Sequence, residues 1–279
     1  MPEMSFAELK ISPHEFSHLS SLVKERFGIV LETKETMVSA RLSKKLRELN
    51  YRSFKDYYKH VCSDSSGTAL KDMVDALTTN FTSFFREHEH FDLLRDKVVA
   101  EHKAHDPLRV WSAACSTGEE PYSIVITLLE ALGDSGRSIE VVASDVSTRA
   151  LKRAAEALYQ ADQVATVPKA LLRKYFLKGE GQWTGWYRVK PLVRDLVHFR
   201  HTNLMDTLPK QAPFSVIFCR NVMIYFDRAG QESVVNRLAP LLQPNGYLFI
   251  GHAEGLAGVT HPLRYIQPAV YKNVAGRRK

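Results

Sequence analysis

Cysteine is scarce in this chain, and long apolar runs and a leader pattern are missing. The 279 residues include three cysteines, which lie far apart at Cys62, Cys115 and Cys219. This spacing suits neither a disulfide framework nor a thiolate metal site, so we expect no bound metal and a reducing compartment. No run of about 18 apolar residues is present to cross a bilayer, and the first ten residues lack a signal-peptide pattern. These absences predict a cytoplasmic protein.

Acidic residues are outnumbered. The chain has 38 Lys and Arg against 31 Asp and Glu, a formal net charge of +7, and its 44% hydrophobic content is ordinary for a globular protein. The length allows one large or two modest domains. The positive charge predicts an anionic partner, but it does not distinguish nucleic acid, a membrane surface or an acidic protein face.

Residues 12–90 have the pattern of helices with little strand signal. The first helix begins with a serine cap at Ser12, a proline at its first position and Glu15, which can reach back to the cap. A second helix is predicted over about residues 34–49. The apolar positions predicted to face the core are Phe16, Leu19, Val23 and Phe27 in the first helix, and Val38, Leu42, Leu46 and Leu49 in the second.

After about residue 105 the pattern changes to short β-branched and aromatic runs that alternate with helical segments. This alternation is typical of a parallel sheet covered by helices. A closing antiparallel strand is predicted at "AVYKN". The other strand candidates are "LRVWSAA", "SIEVVASD", "LVHFRHTN", "FSVIFCRN" and "YLFIGHAE".

Residues 176–199 interrupt this alternation. Glycines at 179, 181 and 185 punctuate strand-like residues, which indicates a small hairpin excursion. A plain surface loop is the alternative.

Polar residues follow several of the predicted strands. In doubly wound sheets ligands bind at the carboxyl ends of the strands, so these residues should converge. The first strand leads into "ACSTGEE", with Gly118, Glu119 and Glu120, and the second ends at Asp145. An acid at the end of the second strand can accept both hydroxyls of a ribose. A turn with one glycine and two acids disfavours the pyrophosphate of a dinucleotide, so the predicted ligand is a cationic nucleoside, S-adenosylmethionine.

Simpler explanations exist for each of these residues. Glu119 and Glu120 would also stabilise the start of the next helix, because acids favour the first turn. Asn203 and Asn221, which follow two other strands, could be turn residues as well as ligands of the adenine or methionine portion.

Several long motifs resemble the bacterial chemotaxis receptor methyltransferases of the CheR type. They are "TTNFTSFFRE", "VWSAACSTGEEPYSI", "ASDVS", "NL" at 203–204 and "IFCRNVMIYF". The resemblance covers almost the whole chain. It implies a class I S-adenosylmethionine-dependent methyltransferase fold, an α/β doubly wound seven-stranded sheet with an N-terminal all-α domain and a small inserted antiparallel β subdomain. The implied boundaries are 1–92 for the helical receptor-binding domain with its linker, 93–279 for the cofactor domain and 176–200 for the β subdomain.

The resemblance also assigns the cofactor contacts. The cofactor is S-adenosyl-L-methionine, and its product is S-adenosyl-L-homocysteine. The implied cofactor residues are Asn80, Thr82, Arg86, Glu120, Asp145, Asn203, Leu204, Arg220 and Asn221.

The implied substrate is a glutamate side chain on the cytoplasmic helices of a chemotaxis receptor. A carboxylate is already ionised at neutral pH, so the reaction needs no general base. Arg86 and Tyr225 occupy the positions near the methyl group and would orient this carboxylate. From the residues alone, Tyr225 could equally be a core aromatic at the end of a strand.

The implied receptor contacts are of two kinds. On the second helix Arg41 and Arg47 match positions that grip the acidic receptor helices, and Lys44 and Lys45 extend that surface, although such charges usually just face solvent. The loop "KGEGQWTG" matches family members that bind a pentapeptide at the receptor C-terminus by strand addition, through residues Lys178, Gly179, Gly181 and Arg188.

Two other functions are open to the same cofactor fold. A nucleic-acid methyltransferase would fit the basic charge, but the segment after the fourth strand reads "RNVMIY" and lacks the proline-rich motif of adenine-methylating enzymes. A non-catalytic cofactor-sensing module is the second, because a fold does not guarantee turnover. We therefore expect a monomeric receptor methyltransferase that binds no nucleic acid and does not insert into a membrane.

Overall fold

The computed structural model describes residues 9–101, 107–133 and 138–274. They form two compact units. The first contains the described residues up to Thr79 together with Tyr225–Asp227, and the second contains Asn80–Ile224 and the described residues from Arg228 onward. The sequence placed a domain boundary at residue 92, whereas the units divide after Thr79. The extreme ends of the predicted domains lie outside the described residues.

The first unit is built from four helices: α1 (Pro13–Phe27), α2 (Glu35–Glu48), α3 (Phe54–Ser63) and α4 (Thr68–Leu77). The predicted start of α1 is confirmed, since the Ser12 side chain accepts from the Glu15 backbone and the Glu15 side chain accepts from the Ser12 backbone. Gly28 ends the helix at a φ of 69°. A shared core contains six of the eight apolar residues predicted for α1 and α2, and Phe27 is buried without belonging to that core. Leu49 follows the last residue of α2 and is 43% exposed, so its predicted burial is wrong.

The second unit contains a seven-stranded, mostly parallel sheet, as predicted. Its central strands are continuous apolar runs because helices cover both faces of such a sheet. In spatial order the strands are β6 (Val197–His201), β2 (Ile139–Asp145), β1 (Leu108–Ser112), β7 (Phe214–Phe218), β8 (Leu242–Phe249), β10 (Val270–Lys272) and β9 (Arg264–Gln267).

The far edge of this sheet departs from the sequence prediction. The closing strand β10 pairs antiparallel with β8, as expected, but it also pairs antiparallel with β9, which was not predicted. Strand β8 begins at Leu242, five residues before the predicted segment "YLFIGHAE", because Leu242 pairs with Phe214 across a register shift.

Helices connect the strands. The second unit has α5 (Glu89–Leu93), a π-helical turn over Leu94–Val98, α6 (Val99–Glu101), α7 (Glu119–Leu132), α8 (Thr148–Glu156), α9 (Lys169–Tyr175), α10 (Pro191–Arg194) and α11 (Arg228–Leu238).

The predicted hairpin excursion is present. Strands β4 (Phe176–Lys178) and β5 (Trp186–Val189) pair antiparallel, and β3 (Leu158–Gln160) adds a third strand on the other side of β5. The third strand lies outside the predicted 176–200 segment because β3 directly follows α8 and precedes the hairpin in the chain. It joins the subdomain by pairing with β5. Across the ranges that the structure describes, no helix combines the length and apolar character needed to cross a bilayer.

Candidate functional site

The strand ends that carry the predicted ligands come together in the second unit. The chain builds β1, β2 and β6 in one direction and then β7 and β8 in the other, so the order reverses between β1 and β7. Ligands of doubly wound sheets bind at such a reversal, at the carboxyl ends of the strands.

Asp145 ends β2 and is buried. Its carboxylate accepts the backbone N–H of Ser116 at 2.8 Å and that of Ser147 at 2.9 Å. One carboxylate therefore ties the end of β2 to the turn after β1. This is the position at which an acid can receive ribose hydroxyls.

The turn after β1 is tight and has a single glycine. Gly118 has a φ of 98°, and a Cβ there would lie 2.9 Å from both the Ala154 Cβ and the Tyr159 hydroxyl. Any side chain at this position would therefore clash. Beyond it, Glu119 accepts from the Thr117 hydroxyl at 2.7 Å and belongs to the start of α7.

Glu120 has a different role from Glu119. Its buried carboxylate accepts from the Ser112 hydroxyl at 2.6 Å and from Arg220 Nη1 at 2.9 Å. Burial raises the pKa of both glutamates, and for Glu120 the charge of Arg220 opposes the rise. A carboxylate at this position disfavours a phosphate group in the turn.

Arg220 joins two carboxylates. Its guanidinium, 1% exposed, bonds Glu120 on one side and Glu87 on the other, with 3.0 Å between Nη2 and Glu87 Oε2. Asn221 Nδ2 also donates to Glu87, at 3.1 Å. Arg220 and Asn221 were predicted as ligands, but Glu87 was assigned no role, although it ends the quoted motif "TTNFTSFFRE".

A second glutamate missing from the prediction is Glu254. Its carboxylate accepts the backbone N–H groups of Gly251 at 2.5 Å, Asn221 at 2.9 Å and Ile224 at 3.3 Å. It therefore fixes the loop after β7 against the loop after β8. Nothing in its sequence neighbourhood signals this role, because two of its three partners are about 30 residues earlier in the chain.

The motif around Arg86 combines a cation with an exposed aromatic ring. Arg86 Nη1 donates to the Phe81 carbonyl at 3.0 Å, and its guanidinium carbon lies 5.5 Å from the centre of the Phe81 ring. Phe81 is 76% exposed, and the half-buried Asn80 and Thr82 flank it.

Asn203 and Leu204 follow β6, and both form hydrogen bonds within the protein. The Asn203 side chain accepts from the Met205 backbone at 3.0 Å and donates to Asp206 at 3.1 Å. Leu204 is buried, and its carbonyl accepts from Arg237 at 3.1 Å. These contacts give Asn203 the turn role that the sequence left open as an alternative.

Tyr225 belongs to the helical unit, where its carbonyl accepts the Val30 N–H at 2.8 Å. The Nζ of Lys34 lies 5.0 Å from the centre of the Tyr225 ring. The pairing of Tyr225 with Arg86 stays a prediction.

The basic residues of α2 differ in their surroundings. Arg41 donates to the carbonyls of Leu77 and Thr78 at the end of α4, at 2.6 and 3.1 Å, so it caps that helix. Lys45 pairs with Asp72 at 3.0 Å. The exposed members of the set are Lys44 and Arg47.

Two of the three glycines in the β-subdomain loop, Gly179 and Gly181, were predicted as peptide contacts, and the local backbone requires glycine at both. A Cβ at Gly179 would lie 2.1 Å from the Trp183 carbonyl oxygen, and Gly181 has a φ of +58°. The exposed Lys178 and Arg188 lie on β4 and β5. These residues shape and charge the subdomain surface.

One cluster has the composition of a metal site. Ligand atoms of Glu87, His90 and His252 lie within 4.8 Å of one another. The Glu87 carboxylate already forms an ion pair with the Arg220 guanidinium, whose positive charge would repel a metal ion bound to the same carboxylate. The expectation of no metal stays a prediction.

This fold and site define a class of protein. A doubly wound sheet with one tight glycine at its first turn, a buried acid at the end of β2 and two carboxylates bound to Arg220 fits a cationic nucleoside. The protein is an S-adenosylmethionine-dependent methyltransferase.

The chain belongs to the CheR methyltransferase family. Residues 80–271 match the model described as "CheR methyltransferase, SAM binding domain", and residues 14–78 match "CheR methyltransferase, all-alpha domain". The predicted resemblance and fold class are confirmed.

Relatives align over nearly their whole length. Chemotaxis protein methyltransferase 2 of Pseudomonas aeruginosa is 40% identical over 97% of this chain and 96% of its own. Chemotaxis protein methyltransferase of Salmonella typhimurium is 40% identical over 94% and 91%. Among solved structures, magnesium protoporphyrin IX methyltransferase (ChlM) from Synechocystis PCC 6803 with bound SAM aligns over 69% of this chain and 68% of its own. That alignment has 15% identity and a TM-score of 0.34, too distant to carry an argument.

Proposed function

We propose that this protein transfers the methyl group of S-adenosylmethionine to glutamate side chains of chemotaxis receptors and forms methyl esters. The observation that carries the proposal is the match of both domains to relatives named as chemotaxis protein methyltransferases. A cytoplasmic location and a monomeric state remain predictions.

The cofactor is held at the strand ends. Asp145 receives the ribose hydroxyls, and the carboxylates of Glu87 and Glu120 favour the cationic methionine end. Asn80, Thr82 and Arg86 contribute from the motif before α5. The remaining proposed contacts are Glu120, Asn203, Leu204, Arg220 and Asn221.

The chemistry demands little of the protein beyond placement. S-adenosylmethionine, when bound, supplies an electrophilic methyl group on a sulfonium. The receptor carboxylate is ionised at neutral pH, so no side chain removes a proton. Aligning the carboxylate oxygen with that methyl can supply roughly 7–11 kcal/mol of barrier reduction.

Arg86 is the residue we assign to this alignment. A guanidinium has five N–H donors, and Arg86 uses one of them on the Phe81 carbonyl. A charge-assisted bond from another donor would orient a substrate oxygen. The parallel role of Tyr225 rests on the family resemblance.

A direct experiment tests the reaction. A purified receptor cytoplasmic fragment is incubated with the protein and S-adenosylmethionine and is then digested for peptide mass spectrometry. We expect glutamate-containing peptides to gain one methyl group that mild base removes. A base-stable methyl group on another side chain, or no transfer to any receptor, contradicts the proposal.

We also propose that the β subdomain tethers the enzyme to a receptor C-terminal pentapeptide. Among the described residues, β4 pairs with β5 alone, so its outer edge can add a strand. Lys178 and Arg188 would attract an acidic peptide.

Calorimetric titration with the C-terminal pentapeptides of receptors from the same organism should detect binding. Lys178→Glu should weaken this binding, whereas Lys152→Glu, on the exposed face of α8, should leave it unchanged. Unaltered binding by the Lys178 variant excludes this edge.

A further inference from the structure

The Glu87 carboxylate connects the Arg86 motif to two strand ends. It accepts from Arg220 Nη2 at 3.0 Å, from Asn221 Nδ2 at 3.1 Å and from the His252 backbone N–H at 3.1 Å. Arg220 and Asn221 follow β7, and His252 follows β8. One side chain therefore fixes the residue after Arg86 to two neighbouring loops at the carboxyl edge of the sheet.

The backbone beside it adopts a conformation that L-residues disfavour. Phe85 has a φ of 54°, Glu87 of 55° and Asn221 of 56°. Left-handed conformations at residues other than glycine persist only when surrounding contacts hold them, and they cluster at functional sites. The contacts here are the bond from Arg220 Nη2 to the Arg86 carbonyl at 2.5 Å and the bond from the Phe85 N–H to the Ser123 hydroxyl at 3.0 Å.

The charges agree with this arrangement. Burial disfavours ionisation of Glu87, but the Asn221 hydrogen bond and the Arg220 charge outweigh it and hold its pKa at about 2. His90 lies 3.6 Å away, from Nδ1 to Glu87 Oε2, with both ring nitrogens buried and unbonded among the described residues. Because His90 is neutral, the cations that face the Glu87 charge are Arg220 at 3.0 Å and Arg86, whose Nε lies 4.0 Å from Glu87 Oε1.

We propose that Glu87 is a positioning residue for methyl transfer, which holds the Arg86 backbone and the Arg220 guanidinium in place so that the Arg86 side chain meets the receptor carboxylate. Glu87 contacts neither substrate nor methyl group; it acts through Arg86. The inference rests on the proposed function and extends it to a residue with no assigned role.

Glu87→Gln tests the proposal because it keeps the shape of the side chain and removes its charge. In the glutamine side chain an NH₂ donor replaces one of the two acceptor oxygens. That NH₂ group would face a second donor, from Arg220, Asn221 or the His252 backbone, and the hydrogen bond would be lost. We expect kcat for receptor methylation to fall about 100-fold, since small misplacements cost about that much. The calorimetric Kd for S-adenosylmethionine should change less than about threefold, and Glu87→Asp should recover part of the lost kcat.

A double-mutant cycle separates positioning from general destabilisation. In an Arg86→Lys background, where the guanidinium fork is already gone, Glu87→Gln should lower kcat by less than about threefold. The exposed Glu89→Gln, two residues along, serves as the matched control and should leave kcat unchanged. An equal loss in both backgrounds, or a Glu87→Gln kcat close to that of the wild type, overturns the inference.

The proposed function fails in a distinguishable way. If the wild-type protein does not methylate receptors, the reaction itself is wrong. If the wild type is active and Glu87→Gln is equally active, only the positioning role is wrong.

Discussion

Among single residues, Arg220 has the most demanding position. A buried guanidinium needs its partners, because breaking a buried ion pair from one side leaves an uncompensated charge. Here two carboxylates, Glu87 and Glu120, share one cation. Both carboxylates lie at the edge of the sheet where the cationic cofactor is expected, and Arg86 Nε is a further cation 4.0 Å from Glu87 Oε1.

Asp145 provides the simplest test of the cofactor site. Asp145→Asn keeps the size of the side chain but replaces one acceptor oxygen by a donor that faces backbone N–H groups. Losing charge-assisted hydrogen bonds costs about 1.5–3 kcal/mol, so the Kd for S-adenosylmethionine should rise about 10- to 100-fold by calorimetry. The exposed Asp162→Asn is the control, and near-normal binding by the Asp145 variant would refute the site map.

His90 predicts how stability depends on pH. Burial, reinforced by the charge of Arg220, lowers the pKa of His90 to about 3 from an ordinary 6.5. The unfolded chain therefore takes up this proton near pH 6.5 and the folded chain only near pH 3. The free energy of unfolding therefore carries no penalty from His90 above about pH 6.5. It decreases as the pH falls from there toward about 3, by at most about 1.4 kcal/mol per pH unit.

Urea unfolding checks this at about pH 7.5 and about pH 5. We expect His90→Leu to lose less free energy of unfolding between the two conditions than the wild type does. His88→Gln, which changes an exposed neighbour, should retain the wild-type difference. The same pH dependence in His90→Leu and in the wild type would show that another group is responsible.

Among the elements, α2 shows that a basic face is not one functional unit. Arg41 caps the end of α4 and Lys45 pairs with Asp72, whereas Lys44 and Arg47 are exposed. Arg41 and Lys45 therefore serve the stability of the helical unit, and Lys44 and Arg47 are the exposed cations available for the proposed receptor contact.

Charge reversal separates these two roles. Lys44→Glu with Arg47→Glu should raise the receptor KM several-fold, most strongly at low salt, because such contacts are screened by ions. The melting temperature should stay near that of the wild type. Lys55→Glu on the exposed side of α3 is the control, and an unchanged KM in the double variant would remove α2 from receptor binding.

Arg41→Ala should instead lower the free energy of unfolding by about 1–3 kcal/mol.

The elements that the sequence predicted are those with local causes. The capping box of α1, the apolar stripe of α2 and the β-branched runs of β1, β2 and β7 are all specified by residues within one turn or one strand. Strand β3 and strand β9 were missed because each is three or four residues long and is stabilised by partners distant in sequence.

The same distinction applies to the site. Asp145 and Asn221 were proposed because strand ends converge, Arg220 was proposed from the family resemblance, and the structure brings all three to the carboxyl edge of the sheet. Glu87 and Glu254 were not proposed, since their roles come from partners at sequence distances of up to 165 residues. Asn203 shows the reverse case, in which a strand-end residue is engaged by its own turn.

At the scale of the whole molecule, a net charge of +7 coexists with two carboxylates that are bound to Arg220 at the sheet edge. The positive charge suits an acidic receptor surface and raises encounter rates, while the buried carboxylates suit a cationic cofactor. This division argues against a phosphate-bearing ligand at the strand ends, although nucleic acid would also be attracted to the outside.

Methyl transfer to competing acceptors tests the account most directly. The protein is incubated with methyl-labelled S-adenosylmethionine and, in parallel, with receptor-containing membranes, duplex DNA and transfer RNA, and each product is treated with mild base. We predict label in the receptor fraction alone, released as volatile methanol because a carboxyl methyl ester hydrolyses. Label retained in a base-stable form, or found in nucleic acid, would contradict the central claim that this site methylates receptor carboxylates.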